Sequence, residues 1–325
     1  MFFGFSVAVL AIIGVAYAMP PIDDFGLENP FWNGCSELDS RVSAVAVSDL
    51  EKLSSVVLKP SDSVVLVLGP SQPFTEGEAD GVRIFMEAGG RVVLAEDFGT
   101  GNDLLEKLGV EVRFSGLMML DPLFKDRNSR VPQVLDFTSS LYTSGLSALT
   151  FNYATVLVDV EADGRVLAYS TLFSYVSEDP NVAPNGVPVG SFPVMAEVKY
   201  GDGGLVLISD SSVFINCMID REDNGVLLKN LVSGRDVYVD VSHWRPALLT
   251  RFKGVLAWVY GFAGVTEVKY ALMGVVAVVI FKFRWRGKLV KVERGEVEEA
   301  LKGHSEWDRT LLERLKRLRD EHGVK

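Results

Sequence analysis

Cysteine and histidine are scarce in this sequence, which limits the chemistry that the chain can carry. Its 325 residues include two cysteines and three histidines, and the histidines (His243, His304 and His322) are scattered. No Cys-x-x-Cys motif exists, so we find no zinc signature and expect no metal or cofactor. Cys35 and Cys217 could form one long-range disulfide in an oxidising exterior, or remain two buried free thiols. The sequence alone leaves both alternatives open.

Clustered positive charge is also missing from most of the chain. The formal net charge is −11, and it is unevenly spread. Residues 284–325 carry 12 Lys and Arg against 9 Asp and Glu. The residues before them therefore carry 20 Lys and Arg against 34 Asp and Glu. Phosphate binding needs clustered Lys and Arg, so this acidic main body disfavours nucleic acid, and we expect no nucleic-acid partner.

Long hydrophobic runs are few, and both lie near a terminus. Residues 1–19 form an apolar run without Lys or Arg at its start, typical of either a signal peptide or a membrane anchor. Residues 265–283 are long and apolar enough for a transmembrane helix. A mean hydropathy of +0.22 is high for a soluble protein and agrees with membrane segments. We therefore expect this chain at the cell membrane.

Basic residues follow the second run directly and set the expected orientation. Lys282, Arg284 and Arg286 place that end in the cytoplasm by the positive-inside rule. The main domain, residues 20–243, is then extracellular, and residues 244–264 form a juxtamembrane segment.

Residues 284–325 are the expected cytoplasmic tail. Ser305 and Asp308 have capping-box spacing and predict the start of a helix in this tail. Its apolar stripe and its basic opposite face are typical of an amphipathic helix at a membrane surface.

The central part of the chain alternates strand and helix signals. Gly89-Gly90 closes a helix, and Val92–Ala95 is a continuous apolar run typical of a parallel strand that is covered on both faces. Thr100 and Asp103 have capping-box spacing, so a new helix should begin there and end at Gly109.

Two earlier segments repeat this pattern. Strands are predicted at residues 43–47 and 63–68. Capping boxes at Ser48–Glu51 and Thr75–Glu78 each predict a helix, the first of which should run to about Val57. Successive strand-to-helix crossovers predict an α/β fold with a doubly wound, mostly parallel sheet, as in flavodoxin-like proteins.

The pattern changes after Val110, where short β segments and loops to about Ser191 predict a β-rich insertion. Residues 195–209 carry a hairpin signature with a Gly-rich turn. A helix at residues 225–232 and a last strand at 237–241 complete the predicted domain, which the terminal membrane helices flank.

The turn after the 92–95 strand lacks a nucleophile. A catalytic elbow on an α/β sheet places Cys or Ser there, whereas this turn reads Glu96-Asp97-Phe98-Gly99-Thr100-Gly101. Its strand, Gly-rich turn and Leu-Leu-x-x-Leu-Gly order resembles the elbow of class I glutamine amidotransferase-like domains. More specifically, the run 97–102 resembles domain-of-unknown-function family 4350, whose members are membrane-anchored archaeal and bacterial proteins, and the resemblance covers roughly residues 28–242.

This resemblance implies that both catalytic components are absent. The catalytic cysteine would fall at about Phe98 or Gly99, and the His-x-Glu pair of catalytic relatives is replaced by Ser209-Asp210-Ser211. We therefore expect a non-enzymatic binding or scaffold protein. The alternative is a hydrolase or transferase with an atypical site at Glu96, Asp97 and Asp210. The resemblance also implies a membrane complex with a MoxR-type ATPase system, in envelope assembly or transport.

Ligands of open α/β sheets bind outside the carboxyl ends of the strands. Three turns leave such ends, and we predict that they lie together at one edge. The adjacent carboxylates of Glu96 and Asp97 more simply bind turn amides, and Asp210 more simply caps a helix. The candidate ligand-binding residues are Ser71, Asp97, Phe98, Gly99, Thr100, Gly101, Asn102, Asp210 and Ser211.

Overall fold

The computed structural model describes residues 13–178, 189–264, 270, 273–282 and 297–322. The chain divides into two compact units, Met1–Lys253 and Gly254–Lys325. The first unit contains the sheet and every predicted site residue. In the second, the described elements include a helix with an amphipathic sequence, Arg309–Glu321.

One eight-stranded mixed sheet organises the first unit. Its order is β1-β14-β2-β3-β13-β12-β10-β7. The pairs from β1 to β13 are parallel, and those from β13 to β7 are antiparallel. The prediction of an α/β protein with a mostly parallel sheet is therefore confirmed. The strands are β1 (Val45–Val47), β2 (Ser63–Leu68), β3 (Arg91–Ala95), β7 (Asp136–Phe137), β10 (Gly164–Tyr169), β12 (Pro193–Tyr200), β13 (Gly203–Ile208) and β14 (Asp236–Asp240).

Helices follow the parallel strands as crossovers, and local sequence explains several of their ends. Thr75 and Glu78 form the predicted capping box. Gly89 (φ +92°) follows the end of that helix, and Gly109 (φ +72°) is the left-handed cap of the next helix, as predicted. The helices are α1 (Ser36–Val42), α2 (Leu53–Val56), α3 (Glu76–Glu87), α4 (Gly101–Leu108), α5 (Asn224–Val232), α6 (Leu248–Gly264) and α7 (Arg309–Glu321).

Two hydrophobic cores cover the two faces of the sheet. Alternate residues of the central strands enter different cores: Val92 and Leu94 pack with α3 and α4, whereas Val93 and Ala95 pack with α1 and α5. Every residue of β2 is buried. This two-sided burial explains why the central strands are continuous apolar runs.

The predicted β-rich insertion is present, but part of it joins the main sheet. Between α4 and β12 the chain adds β7 and β10 to the antiparallel edge. The remaining strands form three two-stranded sheets. These strands are β4 (Arg113–Phe114), β5 (Met118–Leu120), β6 (Gln133–Val134), β8 (Leu149–Thr150), β9 (Leu157–Val158) and β11 (Tyr175–Ser177).

Three predicted capping boxes do not form, although the helix expected at Thr100 begins there as predicted. The helix expected from Ser48 is only α2, because the Asp49 carboxylate binds the backbone and side-chain nitrogens of Lys52 instead of opening a helix at Ser48. At α4, the Thr100 amide donates to the Pro70 carbonyl and not to the Asp103 carboxylate, so no capping box forms. In the tail, α7 begins one residue after Asp308.

The acidic side chains near two of these helix starts make different contacts. Asp308 itself accepts the Thr310 amide (2.7 Å) and caps α7, whereas Ser305 lies in the turn before it. Asp103, in the first turn of α4, accepts the Phe74 amide (2.6 Å) rather than an amide of its own helix.

Of the two alternatives for the cysteines, the disulfide is not formed. Cys35 and Cys217 are both free. Cys35 is buried in the core, where desolvation raises the pKa of its thiol to about 12. Cys217 is exposed, so the alternative of two buried thiols holds for only one of them.

The predicted membrane segments fall largely outside the described residues. Of the run 1–19 only residues 13–19 are described, and of 265–283 only 270 and 273–282. Within the described part of the chain, no helix combines the length and the apolar character needed to cross a bilayer.

Candidate functional site

The three strand-end turns lie together at the carboxyl edge of the sheet, as predicted. The Gly69 amide donates to the Ala95 carbonyl (2.9 Å), and the Thr100 amide donates to the Pro70 carbonyl (2.9 Å). The Ser211 hydroxyl donates to Asp97 Oδ2 (2.8 Å), which connects the turns after β3 and β13. The candidate residues Ser71, Asp97–Asn102, Asp210 and Ser211 therefore belong to one region.

The Glu96 side chain organises the turn after β3. It is buried, and its carboxylate accepts the amides of Asp97 (2.7 Å), Gly99 and Gly101 (3.1 Å). This is the amide-binding role that the sequence favoured over acid–base catalysis. Desolvation by burial raises the pKa of Glu96 to about 7, although the three amides lower it.

Gly99 is required by a close approach of two turns. A Cβ atom at this position would collide with the Pro70 carbonyl oxygen and with the Glu96 carboxylate. The same turn holds the Phe98 side chain in an exposed position. The turn after β3 therefore fits against the turn after β2 only while residue 99 lacks a side chain.

Asp210 and Asp97 extend the acidic character of this edge. Asp210 is fully buried, and its carboxylate accepts the amides of Asn152 (2.7 Å) and Ser212 (2.8 Å). Burial, with the nearby charge of Asp97, raises the pKa of Asp210 to about 7. Burial also raises the pKa of Asp97, against hydrogen bonds from Ser211 and the Phe98 amide.

The other polar candidates bind neighbouring backbone. The hydroxyl of Ser71 donates to the His243 carbonyl (3.1 Å). Both amide atoms of Asn102 pair with the backbone of Phe114 (2.8 and 2.9 Å). The hydroxyl of Thr100 joins the turns after β2 and β3, whereas Ser71 and Asn102 bind the backbone after β14 and in β4, so these three side chains have structural contacts.

His243 lies at this edge, although the sequence analysis noted it only as one of three scattered histidines. Its Nδ1 lies 2.6 Å from Asp240 Oδ2, and its Nε2 lies 3.6 Å from Glu78 Oε2. The ring is buried and stacks on Phe74 with centroids 3.8 Å apart. Its backbone carbonyl accepts from Ser71, which places this cluster beside the three turns. The (i, i+3) spacing of Asp240 and His243 was the local signal available.

The surroundings of His243 change its affinity for protons. Burial by itself lowers the pKa of the imidazole, but the hydrogen bond that Asp240 accepts and the charges of Asp240 and Glu78 outweigh it. The net pKa is raised. The folded state therefore binds a proton at His243 more tightly than the unfolded chain does.

The edge does not assemble a metal site. Among the described residues, no group of three or more His, Cys, Asp or Glu side chains is placed to hold a metal ion. Among the described residues, one buried side-chain oxygen has no hydrogen-bond partner. It is Oγ of Ser209, which follows β13 as Glu96 follows the neighbouring β3.

Comparison with solved structures gives only remote similarity. The mmIFT52 N-terminal domain aligns with a TM-score of 0.44 at 14% identity, over 57% of this chain and 82% of that chain. The β-galactosidase from Bacillus circulans sp. alkalophilus aligns with a TM-score of 0.32 at 16% identity, over 52% of this chain and 22% of that chain. The α-L-fucosidase isoenzyme 2 from Paenibacillus thiaminolyticus aligns with a TM-score of 0.26 at 18% identity, over 52% of this chain and 24% of that chain.

Comparison by sequence is more informative. No curated protein matches this chain. Residues 28–232, however, match a protein family over more than half of the chain, and this range includes every candidate residue from Ser71 to Ser211. The chain therefore belongs to the family described as domain of unknown function DUF4350.

Proposed function

We propose that this protein is a membrane-anchored, non-catalytic binding or scaffold protein with a degenerate amidotransferase-like extracellular domain. The observation that carries the proposal is that Glu96 fills the turn after β3, where a catalytic elbow would carry its nucleophile. The Glu96 carboxylate accepts three amides of its own turn, and the turn contains neither Cys nor Ser. A nucleophile and its base are both missing from the position where this type of fold performs catalysis.

The competing function is acid–base catalysis by Glu96, Asp97 and Asp210. One observation favours it, since the pKa values of Glu96 and Asp210 are both about 7, which suits a general acid or base. Against it, both side chains are almost completely buried and bind backbone amides. A substrate would reach only Asp97, which is partly exposed.

The purified full chain tests the choice between these functions. We expect no glutaminase or esterase turnover above background. Turnover that Asp97→Asn abolishes would establish the enzyme instead, provided that thermal unfolding of the variant matches the parent chain. Ser177→Ala, a substitution in β11 of the insertion, serves as the control.

The proposed placement rests on the sequence of the terminal segments. An apolar run at each side of the α/β domain, with a cluster of basic residues directly after the second, supports an extracellular domain and a cytoplasmic tail. Protease added to intact cells should digest residues 20–243 and spare 284–325. Digestion of the tail alone would reverse the orientation.

The proposed partner is a membrane complex that includes a MoxR-type ATPase system, as the family resemblance implies. The partly exposed Asp97 and the exposed Phe98 at the strand-end turns offer it a small surface. Cross-linking from Phe98, followed by identification of the captured protein, tests this assignment. Capture at the distant, exposed Leu58 but not at Phe98 would contradict the role of the turns.

A further inference from the structure

Two loops of the insertion present the same dipeptide, Leu-Phe, at adjacent exposed positions. Leu123 and Leu172 are 62% and 72% exposed, and Phe124 and Phe173 are 37% and 46% exposed. The two phenylalanine rings lie 5.8 Å apart between centroids. We refer to Leu123-Phe124 and Leu172-Phe173 as the Leu-Phe tips. Four large apolar side chains in one place form a surface patch of the kind that marks an interaction site.

A single buried carboxylate fixes both tips. Asp121 is fully buried, and its Oδ1 accepts the amides of Leu123 (2.8 Å) and Phe124 (2.7 Å). Its Oδ2 accepts the hydroxyls of Thr171 and Ser174 (3.1 Å), which flank the second tip. Charge-assisted hydrogen bonds of this kind hold a loop in one conformation. The exposure of the tips is therefore built into the fold.

Basic residues adjoin the first tip. Lys125 and Arg127 follow it and are exposed, and residues 122–130 carry three basic residues and one acidic residue. That acidic residue, Asp126, pairs with Arg127 (3.8 Å) and Arg221 (3.3 Å). The surroundings of the tip are thus locally basic in a chain whose net charge is −11.

The Leu-Phe tips lie at the carboxyl edge of the sheet. The segment that leads from β14 into α6 lies at the same edge. The insertion reaches this edge where the Thr155 amide donates to the Ser209 carbonyl (2.9 Å). The neighbouring Ala154 carbonyl accepts an amide of β5, which leads into the first tip. The segment before α6 is fixed at the same edge, where Trp244 Nε1 donates to the Leu68 carbonyl (2.6 Å).

We propose that the Leu-Phe tips insert into the interfacial region of an anionic lipid bilayer, with Lys125 and Arg127 against the headgroups. Protruding apolar loops need no complementary pocket in a bilayer, and flanking cations gain from an anionic surface. The proposal rests on the proposed membrane anchoring, because a tethered domain needs only weak additional contacts to lie against the bilayer. It adds that this edge of the sheet faces the lipid.

The test uses the full chain incorporated into phosphatidylcholine–phosphatidylglycerol vesicles, with a polarity-sensitive fluorophore at single cysteines in a Cys217→Ser background. The label at Leu172→Cys should shift to the blue and be quenched by doxyl lipids. The matched control is Leu58→Cys, because Leu58 is 87% exposed and precedes β2 at the opposite edge. Its label should remain unquenched. Lys125→Glu with Arg127→Glu should reduce quenching at position 172 at least two-fold.

Flotation of the vesicles separates this proposal from the anchoring itself. Chain that floats while position 172 stays unquenched overturns the insertion of the tips, and a protein partner then becomes the occupant. Chain that fails to float, yet shows quenching at 172 and none at 58 when vesicles are added, overturns the anchor and supports the tips. Equal quenching at both positions also contradicts the proposal, because contact would not depend on the tips.

Discussion

At the scale of single residues, Glu96 links the shape of the elbow to proton binding. Its carboxylate holds three amides, yet burial raises its pKa from 4.5 to about 7. The folded state therefore keeps a proton that the unfolded chain has released, and stability falls as the pH rises from about 4.5 to about 7. Glu96→Gln removes this titration.

We expect Glu96→Gln to flatten the pH dependence of the free energy of unfolding between pH 4.5 and 7. Denaturant unfolding at several pH values measures the change. Glu106→Gln, at an exposed position of α4, is the control and should leave the slope unaltered. A slope that is the same in Glu96→Gln and in the parent chain would contradict the raised pKa of Glu96.

His243 responds to pH in the same direction by a different route. Its folded pKa is raised, so its contribution is fully present below the unfolded value of about 6.5 and is lost as the pH rises through the folded pKa. His243→Gln should therefore destabilise the domain more at pH 5.5 than at pH 9. His304→Gln, outside the first unit, is the matched control. An equal loss at both pH values would show that only packing on Phe74 matters.

At the scale of elements, the elbow depends on the close approach of two turns. Gly99→Ala places a methyl group against the Pro70 carbonyl and the Glu96 carboxylate, so the turns after β2 and β3 must separate. We expect a loss of about 1–3 kcal/mol, the usual range for overpacking. Thermal unfolding should show it. Gly190→Ala is the control, because nothing lies within 4 Å of a Cβ atom there. Equal melting temperatures for both variants would rule out the clash.

Local sequence signals were sufficient for elements whose ends are decided by neighbouring residues. The box at Thr75 and Glu78 and the caps at Gly89 and Gly109 form as predicted, since each needs only a few adjacent residues. The box at Thr100 fails because more distant partners take two of its groups: the Thr100 amide donates to the Pro70 carbonyl, and the Asp103 carboxylate accepts the Phe74 amide. Spacing alone does not reveal such competition.

The insertion was predicted only in outline for a related reason. Several of its strands have two residues, which is too short for a periodic pattern. Its position depends on single buried side chains such as Asn224, which binds the backbone of Thr150 in β8 (2.9 and 3.1 Å). The sequence analysis placed a helix at residues 225–232 and assigned no contact to Asn224.

The candidate site shows the same division between local and distant information. That the three turns share one edge follows from parallel strands and was predictable. The His243 cluster was not, because it requires the end of β14 to lie beside the start of α3. Asp240 and His243 are close in sequence, but Glu78 is distant from both, and only the sheet order brings it to them.

At the scale of the whole molecule, buried acids and a buried histidine shift stability in one direction. Glu96 and Asp210 have pKa values of about 7, and the pKa of His243 is raised. All three bind protons more tightly in the folded state, so folding takes up protons near neutral pH. We expect the melting temperature of the first unit to be higher at pH 6 than at pH 8. Calorimetry across this range measures it, and a melting temperature that increases toward pH 8 would contradict the shared sign.

The two edges of the main sheet are its shortest strands, β1 with three residues and β7 with two. An edge strand exposes unpaired amides and carbonyls, on which a second sheet can grow. In the described part of the chain, each edge strand offers at most three residues of such a template, although the sheet has eight strands. Edge strands this short disfavour the joining of sheets from neighbouring copies into fibres.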